Sequence, residues 1–396
     1  MSLKIPRKIK SKLLNSLERG KSVLLLGPRQ TGKTTLVKDI TVRKSINLIV
    51  PSVRRQLTED PDRLLREIQS LRKSKSDRPL ISIDEIQLVP ELLNVAQYLI
   101  DENLAQFILT GSSARKIRAQ SDLNLLPGRV VYFRLDALTL DEFMPSKLED
   151  ELYFGALPGI AQLKKKSEKA DDLHSYVETY LEEEIRKETN IRDIGAFSRF
   201  LSLAASDAGN IVNFSAIAND CGVSSVTVQS YYKVLEDCLI CDRILPFTQS
   251  TTRKKLTRSP KFLFFDLGVR RIAANEGESL GSIAEGRMFE QFIGIHLLRL
   301  IRSRQSRAEL LFWNDPSGPE VDFIIRHRNR MIPIEVKLTK SPKPADAKHI
   351  FKFISEYPLA NHGYVISQCE ETQQLSDDVT AISWRKLSDV IDKLGI

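Results

Sequence analysis

The amino-acid sequence predicts an α/β protein in which a parallel-sheet domain comes first, a helical module follows and a second α/β module comes last. Three observations lead to this prediction. Val23–Leu26 is a short apolar run of the length of a buried strand, and a glycine-rich loop and a helical pattern follow it. A second apolar run stops at two acidic residues, and a later amphipathic helix precedes three strand patterns. Because 396 residues are too many for one ordinary core, we expect domains over residues 1–142, 143–275 and 276–396.

The composition is that of a soluble globular protein, with 42% hydrophobic and 28% charged residues. No apolar run approaches the ~20 residues of a membrane span, and the basic N-terminus lacks the apolar core of a signal peptide. Cys238 and Cys241 form a C-x-x-C motif without a second pair for zinc, so we expect reduced thiols in a cytoplasmic protein. The formal net charge of +8 favours a polyanionic partner, and a basic protein without one is the alternative.

The loop after the first strand matches G-x-x-x-x-G-K-[ST], the P-loop motif, at every fixed position. Such a loop turns successive backbone N–H groups toward phosphate, and glycine is needed where the backbone approaches closely. Lys33 would reach the β- and γ-phosphates, and the Thr34 hydroxyl would bind Mg²⁺. We therefore predict ATP and Mg²⁺ as cofactors. The predicted nucleotide-binding residues are Gly27, Pro28, Arg29, Gln30, Thr31, Gly32, Lys33, Thr34, Thr35 and Thr110.

An acid pair follows the apolar run Leu80–Ile83, about fifty residues after Lys33. This is the Walker B pattern, in which a strand delivers carboxylates to the nucleotide. Asp84 would order a Mg²⁺-bound water, and Glu85 would polarise the attacking water. The predicted metal ligands are thus Thr34 and Asp84.

Two further features lie between the acid pair and the end of the first domain. Thr110 and Ser112 follow another strand pattern and are candidates for a polar sensor near the γ-phosphate; a simple turn is the alternative. Arg129 precedes one more strand, where it would act as an arginine finger in cis or from a neighbouring subunit; a plain surface arginine is the alternative. Together with Lys33 and Glu85, Arg129 completes the predicted catalytic set.

Segments of the whole chain carry a family resemblance. The four segments of the first domain are GPRQTGKTTL, LISIDEIQ, LTGSSA and LPGR. In this order and spacing they resemble the AAA-type P-loop ATPases of bacteria and archaea, and more narrowly the ATP-binding proteins with a C-terminal domain of uncharacterised function. The later matching segments are FGALPGI, SYVETYLEEEIRKE, SPKFLFFDLG, GRMFEQFI and PEVDFIIRHRNRMIPIEVK. The resemblance implies an AAA-like P-loop NTPase fold and ATP hydrolysis.

The middle module contains a helix-turn-helix pattern. Ser215–Asp220 fits a first helix, Cys221–Val223 a tight turn and Ser224–Cys238 a second helix, with a strand or wing after it. The basic run Thr251–Arg258 would lie along phosphate. The exposed part of the second helix would carry Ser225, Thr227, Gln229, Ser230 and Lys233. Because this helix is poor in arginine and lysine, a protein-binding or lid module is the alternative to DNA binding.

The C-terminal module carries acidic residues and a lysine at the spacing of nuclease-like folds. The constellation is Glu290, Asp322, Glu335 and Lys337. Glu335 and Lys337 lie two positions apart on one strand and therefore share a face. The spacing resembles the PD-(D/E)xK nuclease-like fold, in which the carboxylates bind a divalent ion and the lysine supports the attacking water. The alternative is a salt-bridged patch on an inactive relative of that fold.

These features predict a Mg²⁺-dependent ATPase whose nucleotide state controls a winged-helix and nuclease-like module that acts on DNA. One alternative is a nucleotide-dependent switch that holds a protein partner with little turnover. Another is a DNA nuclease gated by ATP. The expected partners are ATP, double-stranded DNA or a protein and further copies of the chain, with no membrane.

Overall fold

The computed structural model describes residues 4–74, 76–113, 128–181, 193–248, 259–277, 281–315 and 318–395. These residues form two compact units. The first comprises Pro6–Ala137 with the short stretch Asp237–Leu239, and the second comprises Leu138–Glu236 and Ile240–Ile396 with the residues up to Ile5. The structure thus has two units where the sequence predicts three domains, and the three sets of boundaries stay predictions. Over these residues, none of the helices is long and apolar enough to span a bilayer.

The first unit is built on a parallel sheet of five strands. The strands are β1 Ser22–Leu26, β2 Lys44–Asn47, β3 Leu80–Asp84, β4 Gln106–Gly111 and β5 Val130–Arg134. The helices are α1 Ile9–Glu18, α2 Lys33–Lys38, α3 Pro51–Glu59, α4 Asp62–Leu71 and α5 Leu92–Asp101, and a 3₁₀ turn covers Ile86–Leu88. In space the strands run in the order β2-β3-β4-β1-β5, and every pair is parallel. The predicted parallel α/β sheet is confirmed.

Both faces of this sheet are buried, which explains why the strand sequences are apolar without alternation. Leu24 and Leu26 of β1 belong to one core cluster, together with residues of α4 and α5. Val23 and Leu25 belong to another cluster, together with residues of α1 and α2. Since both faces of β1 are covered, it has no solvent-facing position, and each of these side chains gains ~1.5–3 kcal/mol from burial.

The carboxyl ends of β1, β3 and β4 lie side by side at one edge of the sheet. Leu26 pairs with Gly111, and Ile83 pairs with Leu109. In a parallel sheet the segments that follow neighbouring strands must meet at the same edge. The P-loop, the acid pair and the polar residues after β4 are brought together in this way.

The second unit consists of a helical region and a mixed eight-stranded sheet. Its helices are α6 Leu148–Phe154, α7 Pro158–Ala161, α8 Lys166–Ser175, α9 Ile194–Ser206, α10 Phe214–Cys221, α11 Ser225–Asp237, α12 Leu267–Ala273, α13 Ser282–Ser303, α14 Lys348–Glu356 and α15 Leu387–Asp392. Its strands are β6 Cys241–Pro246, β7 Lys261–Phe264, β8 Glu309–Asn314, β9 Glu320–His327, β10 Arg330–Val336, β11 Gly363–Ser367, β12 Gln373–Ser376 and β13 Val379–Ser383. The strand order is β12-β13-β11-β10-β9-β8-β6-β7.

The eight-stranded sheet lies between two layers of helices. Phe289 and Phe292 of α13 pack on one face, in a cluster with Phe323 of β9. Phe353 of α14 packs against Trp313 of β8 in a cluster on the other face. The antiparallel hairpin β9–β10, predicted from the sequence, is confirmed by the strand register. All four cysteines are buried and form no disulfide.

The helices α10 and α11 form a helix–turn–helix pair close to the predicted positions. The side chains of Asn213 and Ser224 each accept a hydrogen bond, of 3.1 Å, from the backbone N–H group three residues later. Gly222 in the turn has a φ of +71°, in the left-handed region. Of the residues predicted to face outward, Gln229, Ser230 and Lys233 are exposed, whereas Ser225 and Thr227 are partly buried.

The strands after α11 differ from a separate wing. β6 and β7 pair antiparallel, as a wing would, but β6 also pairs in parallel with β8, where Leu245 lies opposite Leu311. Since this pairing gives the edge of β6 a partner, both strands become part of the C-terminal sheet. The basic run Thr251–Arg258 lies outside the described residues.

Candidate nucleotide-binding site

The loop after β1 follows a path that only glycine permits at its fixed positions. A Cβ atom at Gly27 would lie 2.2 Å from the carbonyl oxygen of Leu135, which no side chain can accept. Gly32, just before α2, has a φ of +94°. The Thr31 hydroxyl donates a hydrogen bond of 2.8 Å to the carbonyl oxygen of Pro28 and closes the loop on itself. The backbone therefore has the compact form that the motif predicts.

Lys33 lies over this loop with only 5% of its surface exposed. Its ammonium group donates hydrogen bonds of 2.7 Å and 2.9 Å to the carbonyl oxygens of Gly27 and Pro28. Burial lowers the pKa of Lys33 to about 8, although the negative charges of Glu85 and Asp84 act to raise it. A phosphate group beside the ammonium would supply the negative charge that the carbonyl oxygens give only in part.

Asp84 connects the P-loop to the neighbouring strand β4 through hydrogen bonds from both. One carboxylate oxygen accepts a hydrogen bond of 2.8 Å from the Thr34 hydroxyl, and the other accepts one from the Thr110 hydroxyl. The Thr110 hydroxyl in turn accepts a bond of 3.3 Å from the backbone N–H of Glu85. The structure thus brings together Thr34, Asp84 and Thr110, three residues predicted for the site. Their oxygens are of the type that Mg²⁺ prefers.

Glu85 is held at the same edge by two polar side chains. Its carboxylate accepts hydrogen bonds from the Ser112 hydroxyl, at 3.0 Å, and from the side-chain amide of Gln87. The amide also donates to Ser112 at 3.0 Å. Glu85 has a φ of +59°, a left-handed conformation that is unusual for glutamate and is found at strained functional positions. The two side-chain contacts keep the carboxylate in one place.

Gln87 was not predicted. It is buried, and its Oε1 atom has no hydrogen-bond partner among the described residues. A signal was present in the sequence, because Gln87 is a polar residue between the apolar Ile86 and Leu88 of the acid-pair segment. Its link to Glu85 depends on the 3₁₀ turn that folds this segment back.

The remaining residues of the predicted nucleotide-binding set differ in their exposure. Arg29, Gln30 and Thr35 are exposed, and Pro28 is buried. Arg7 contacts the loop from the segment before α1, although the sequence did not indicate it. Its guanidinium group donates to the carbonyl oxygens of Thr31 and, at 2.7 Å, of Asp136. Arg7 thereby ties the loop to the segment after β5.

Arg129 is not brought to the P-loop of its own chain. It precedes β5, whose first residue Val130 pairs with Ser22 at the start of β1. At ~3.3 Å per residue, the length of β1 places this position roughly 15 Å from the loop along the strand. The Arg129 guanidinium forms an ion pair with Asp101. The geometry therefore gives a cis role no support, and a role in a neighbouring subunit stays a prediction.

The C-terminal constellation converges in the second unit, with two added members. Lys337 contacts Glu335 at 2.7 Å, and the carboxylate of Asp322 accepts a bond of 2.7 Å from the backbone N–H of Val336. Lys261 of β7 contacts Glu290 at 3.2 Å and Glu320 at 2.7 Å. Glu320 could have been predicted because it shares a face of β9 with Asp322, two residues later. Lys261 could not, because it comes from a strand assigned to another module.

The carboxylates of this cluster are buried and close to one another, and both conditions raise their pKa values. Burial and the nearby Asp322 raise the pKa of Glu290 to about 7 and that of Glu335 to about 8. Burial also raises the pKa of Asp322. Over the part of the chain that the structure describes, no group of three or more His, Cys, Asp or Glu side chains has the arrangement to hold a metal ion. The carboxylates are near one another, but they do not form a ligand set.

Three consecutive segments match known domain families. Residues 19–144 match the AAA domain, residues 145–279 match a domain of unknown function, DUF8612, and residues 285–387 match another, DUF4143. The parallel sheet, the loop and the first match together define the N-terminal part of the chain as an AAA-type P-loop domain. The two later matches define no activity.

The relatives and solved structures that resemble this chain also define no activity for it. An uncharacterized protein of Mycobacterium tuberculosis is 26% identical over 94% of this chain and 82% of its own. An uncharacterized protein of Methanocaldococcus jannaschii is 22% identical over 95% and 87%. The Cdc6p structure from Pyrobaculum aerophilum, 14% identical, covers 67% of this chain and 90% of its own with a TM-score of 0.26. A TM-score of this size supports no conclusion about this chain.

Proposed function

We propose that the first unit binds ATP with Mg²⁺ and hydrolyses it. The observation that carries this proposal is the hydrogen-bonded series Thr34–Asp84–Thr110, which links the P-loop, the acid pair and the neighbouring strand at one edge. The Asp84 carboxylate lies between the two hydroxyls that the motifs assign to the nucleotide. The match to the AAA domain supports the same chemistry.

The donor set suits the proposed cofactors. The Thr34 hydroxyl and Asp84 carboxylate would hold Mg²⁺, a hard ion that takes oxygen ligands and keeps several waters. Lys33 and the loop N–H groups would hold the β- and γ-phosphates. When bound, Mg²⁺ supplies positive charge that stabilises the transferring phosphoryl group.

Glu85 is the proposed general base. Ser112 and Gln87 fix one of its carboxylate oxygens, which leaves the group oriented to accept a proton from an attacking water. The Oε1 atom of Gln87, which has no partner among the described residues, is proposed to accept a hydrogen bond from the other O–H of that water. Thr110, bonded to both acid residues, keeps their spacing constant.

We further propose that the nucleotide state controls binding of double-stranded DNA by the second unit. A cleft of about 480 Å³ lies between the end of α13 and the β9–β10 turn. The residues that line it are Arg304, Gln305, Ser306, Arg307, His327, Arg328 and Gly395, with no acidic side chain among them. Arg304 pairs with Asp392, whereas Arg307 and Arg328 have no ion-pair partner in the described chain. Two guanidinium groups without counter-charges in one cleft suit phosphate.

A protein partner on α11 is the second candidate, and one observation favours it. Val226 near the start of this helix is 72% exposed, and Lys233 is the one cation on its exposed part. An apolar side chain in a weakly charged helix face suits a protein surface better than a phosphate backbone. The resulting alternative is a nucleotide-dependent switch with slow turnover.

Steady-state ATP hydrolysis with and without double-stranded DNA tests the proposal. Lys33→Ala provides the blank. Turnover above the blank that rises with DNA supports an ATPase coupled to DNA. A turnover rate that is the same with and without DNA, together with a protein that co-purifies only in the ATP-bound state, favours the switch. Hydrolysis no greater than the blank under all conditions would reject the ATPase.

A further inference from the structure

Lys261 is a buried cation in the middle of the C-terminal carboxylates. Only 3% of its surface is exposed. Its ammonium group lies 3.2 Å from a carboxylate oxygen of Glu290 and 2.7 Å from one of Glu320. It also lies 5.1 Å from the centre of the Phe312 ring, over its face. A buried lysine with two carboxylates and an aromatic face has little freedom to leave.

The backbone of β7 holds this lysine in place from both sides. On one side Lys261 lies opposite Ile244 of β6. On the other side it forms a β-bridge with Ile211, and the N–H of Val212 donates to the carbonyl oxygen of Pro260 at 2.9 Å. The backbone of Lys261 is therefore held by sheet hydrogen bonds and does not belong to a loop.

Each of the four carboxylates contacts the protein through one of its oxygens. Lys261 takes Glu290 and Glu320, and Lys337 takes one oxygen of Glu335 at 2.7 Å. Asp322 accepts the backbone N–H of Val336. Over the described residues, the other oxygen of Glu335 is fully buried and has no hydrogen-bond partner. An ammonium group among the carboxylates occupies the place of a divalent ion and repels a second cation.

We propose that Lys261 is the resident cation of this cluster and takes the place of a divalent ion, so that the second unit does not cut nucleic acid in a metal-dependent reaction. Lys261 of β7 then holds three segments together, because it contacts Glu290 of α13 and Glu320 of β9. The inference is independent of ATP hydrolysis, because it concerns residues of the second unit. It removes the ATP-gated nuclease from the alternatives and leaves a binding module.

Binding of Mn²⁺ to the full-length protein tests the inference. The starting protein is Asp84→Asn, which lacks the carboxylate proposed to hold the nucleotide-site metal. Its Mn²⁺ isotherm, from calorimetry and the electron paramagnetic resonance of free Mn²⁺, is compared with that of Asp84→Asn/Glu335→Gln. We expect the two isotherms to be the same. Mn²⁺ binding by the first protein that the Glu335 substitution removes would overturn the inference.

A second comparison replaces the resident cation itself. Lys261→Met keeps the length of the side chain and removes its charge, whereas Lys261→Arg keeps the charge and is the control. In the Asp84→Asn background we expect Mn²⁺ to raise the thermal midpoint of the methionine variant and not that of the arginine variant. No Mn²⁺ response from a folded methionine variant would overturn the assignment. If that variant does not fold, Lys261→Met/Glu320→Gln, which removes the ion pair together, gives the same two outcomes.

Discussion

Thr34 and Asp84 are fifty positions apart in the sequence, and the hydroxyl of Thr34 donates a 2.8 Å hydrogen bond to the carboxylate of Asp84. The distance follows from the strand order, because β3 and β1 lie on either side of β4 and end at the same edge. Two weakly informative short motifs become one site through this relationship.

The affinity for ATP should depend on pH through Lys33. Burial lowers the pKa of Lys33 to about 8, so its side chain carries a positive charge below this pH and loses that charge above it. Since phosphate binds the charged form, the Kd for ATP should be flat below about pH 7 and rise by up to tenfold per unit above about pH 8. Calorimetric titrations across this range provide the measurement. Lys33→Ala should bind weakly at every pH, and a similar rise in that variant would assign the effect to another group.

The acid pair should divide into two roles. Glu85→Gln keeps the shape of the side chain and loses the base, so turnover should fall by ~10²–10⁴-fold while ATP still binds. Asp84→Asn should weaken binding in the presence of Mg²⁺ and change it little in the presence of EDTA. The measurement is nucleotide affinity with and without Mg²⁺ beside the rate of phosphate release. Equal and mild effects from both variants would show that the carboxylates are structural.

Gln87 should contribute to turnover by orienting both Glu85 and the attacking water. Gln87→Leu removes the amide that bonds Glu85 and Ser112, so kcat should fall roughly tenfold with KM nearly unchanged. The matched control is Gln106→Leu, because the Gln106 amide bonds backbone carbonyl groups at the other edge of the sheet. A change in KM alone, or the same loss of kcat in both variants, would contradict this role.

We expect any contact between Arg129 and a nucleotide to be with the nucleotide of a neighbouring copy of the chain. In an oligomer, Arg129→Ala and Lys33→Ala should each lose turnover, and mixing the two should restore part of it because one mixed interface retains both groups. Light scattering establishes the oligomer before the mixing assay. Full turnover by Arg129→Ala would leave this residue with its Asp101 ion pair as its whole role.

The basic cleft should account for part of the salt dependence of DNA binding. Arg307→Ala and Arg328→Asn should each weaken binding and lower the slope of log K against log salt by ~0.9 per phosphate contact. Asparagine is chosen at Arg328 because its φ of +54° is in the left-handed region. Lys340→Ala and Lys343→Ala remove the same charge from exposed positions elsewhere in the unit. Equal losses from both pairs would indicate a general charge effect.

The parts of the site that the sequence predicted are those whose signal is local. The loop needs glycine at Gly27 and Gly32 for reasons of backbone geometry, and an apolar run before Asp84 predicts a buried strand. These features depend on neighbours in the chain, so the spacing was sufficient. The antiparallel hairpin β9–β10 was predictable on the same ground, because its two strands and turn are consecutive.

Of the parts that it did not predict, two depend on the order of strands and one on a local turn. Arg129 lies at the far edge because β5 pairs with β1 in parallel, which a motif list does not contain. Lys261 reaches Glu290 only because β6 joins β8 and carries β7 into the C-terminal sheet. Gln87 meets Glu85 through a turn in which Glu85 has an uncommon backbone conformation. The positions of Arg129 and Lys261 are thus decided by strand pairing, and that of Gln87 by the backbone conformation of the turn.

The pairing of β6 with β8 bears on how this chain can be divided by gene fusion or truncation. A fragment limited to the DUF4143 segment, residues 285–387, contains β8–β13 and lacks β6 and β7. It would expose the edge of β8 and leave Glu290 and Glu320 without Lys261, so we expect it to aggregate or remain unfolded. The segment that sequence families define is thus smaller than the piece that could be inherited as an independent folding module.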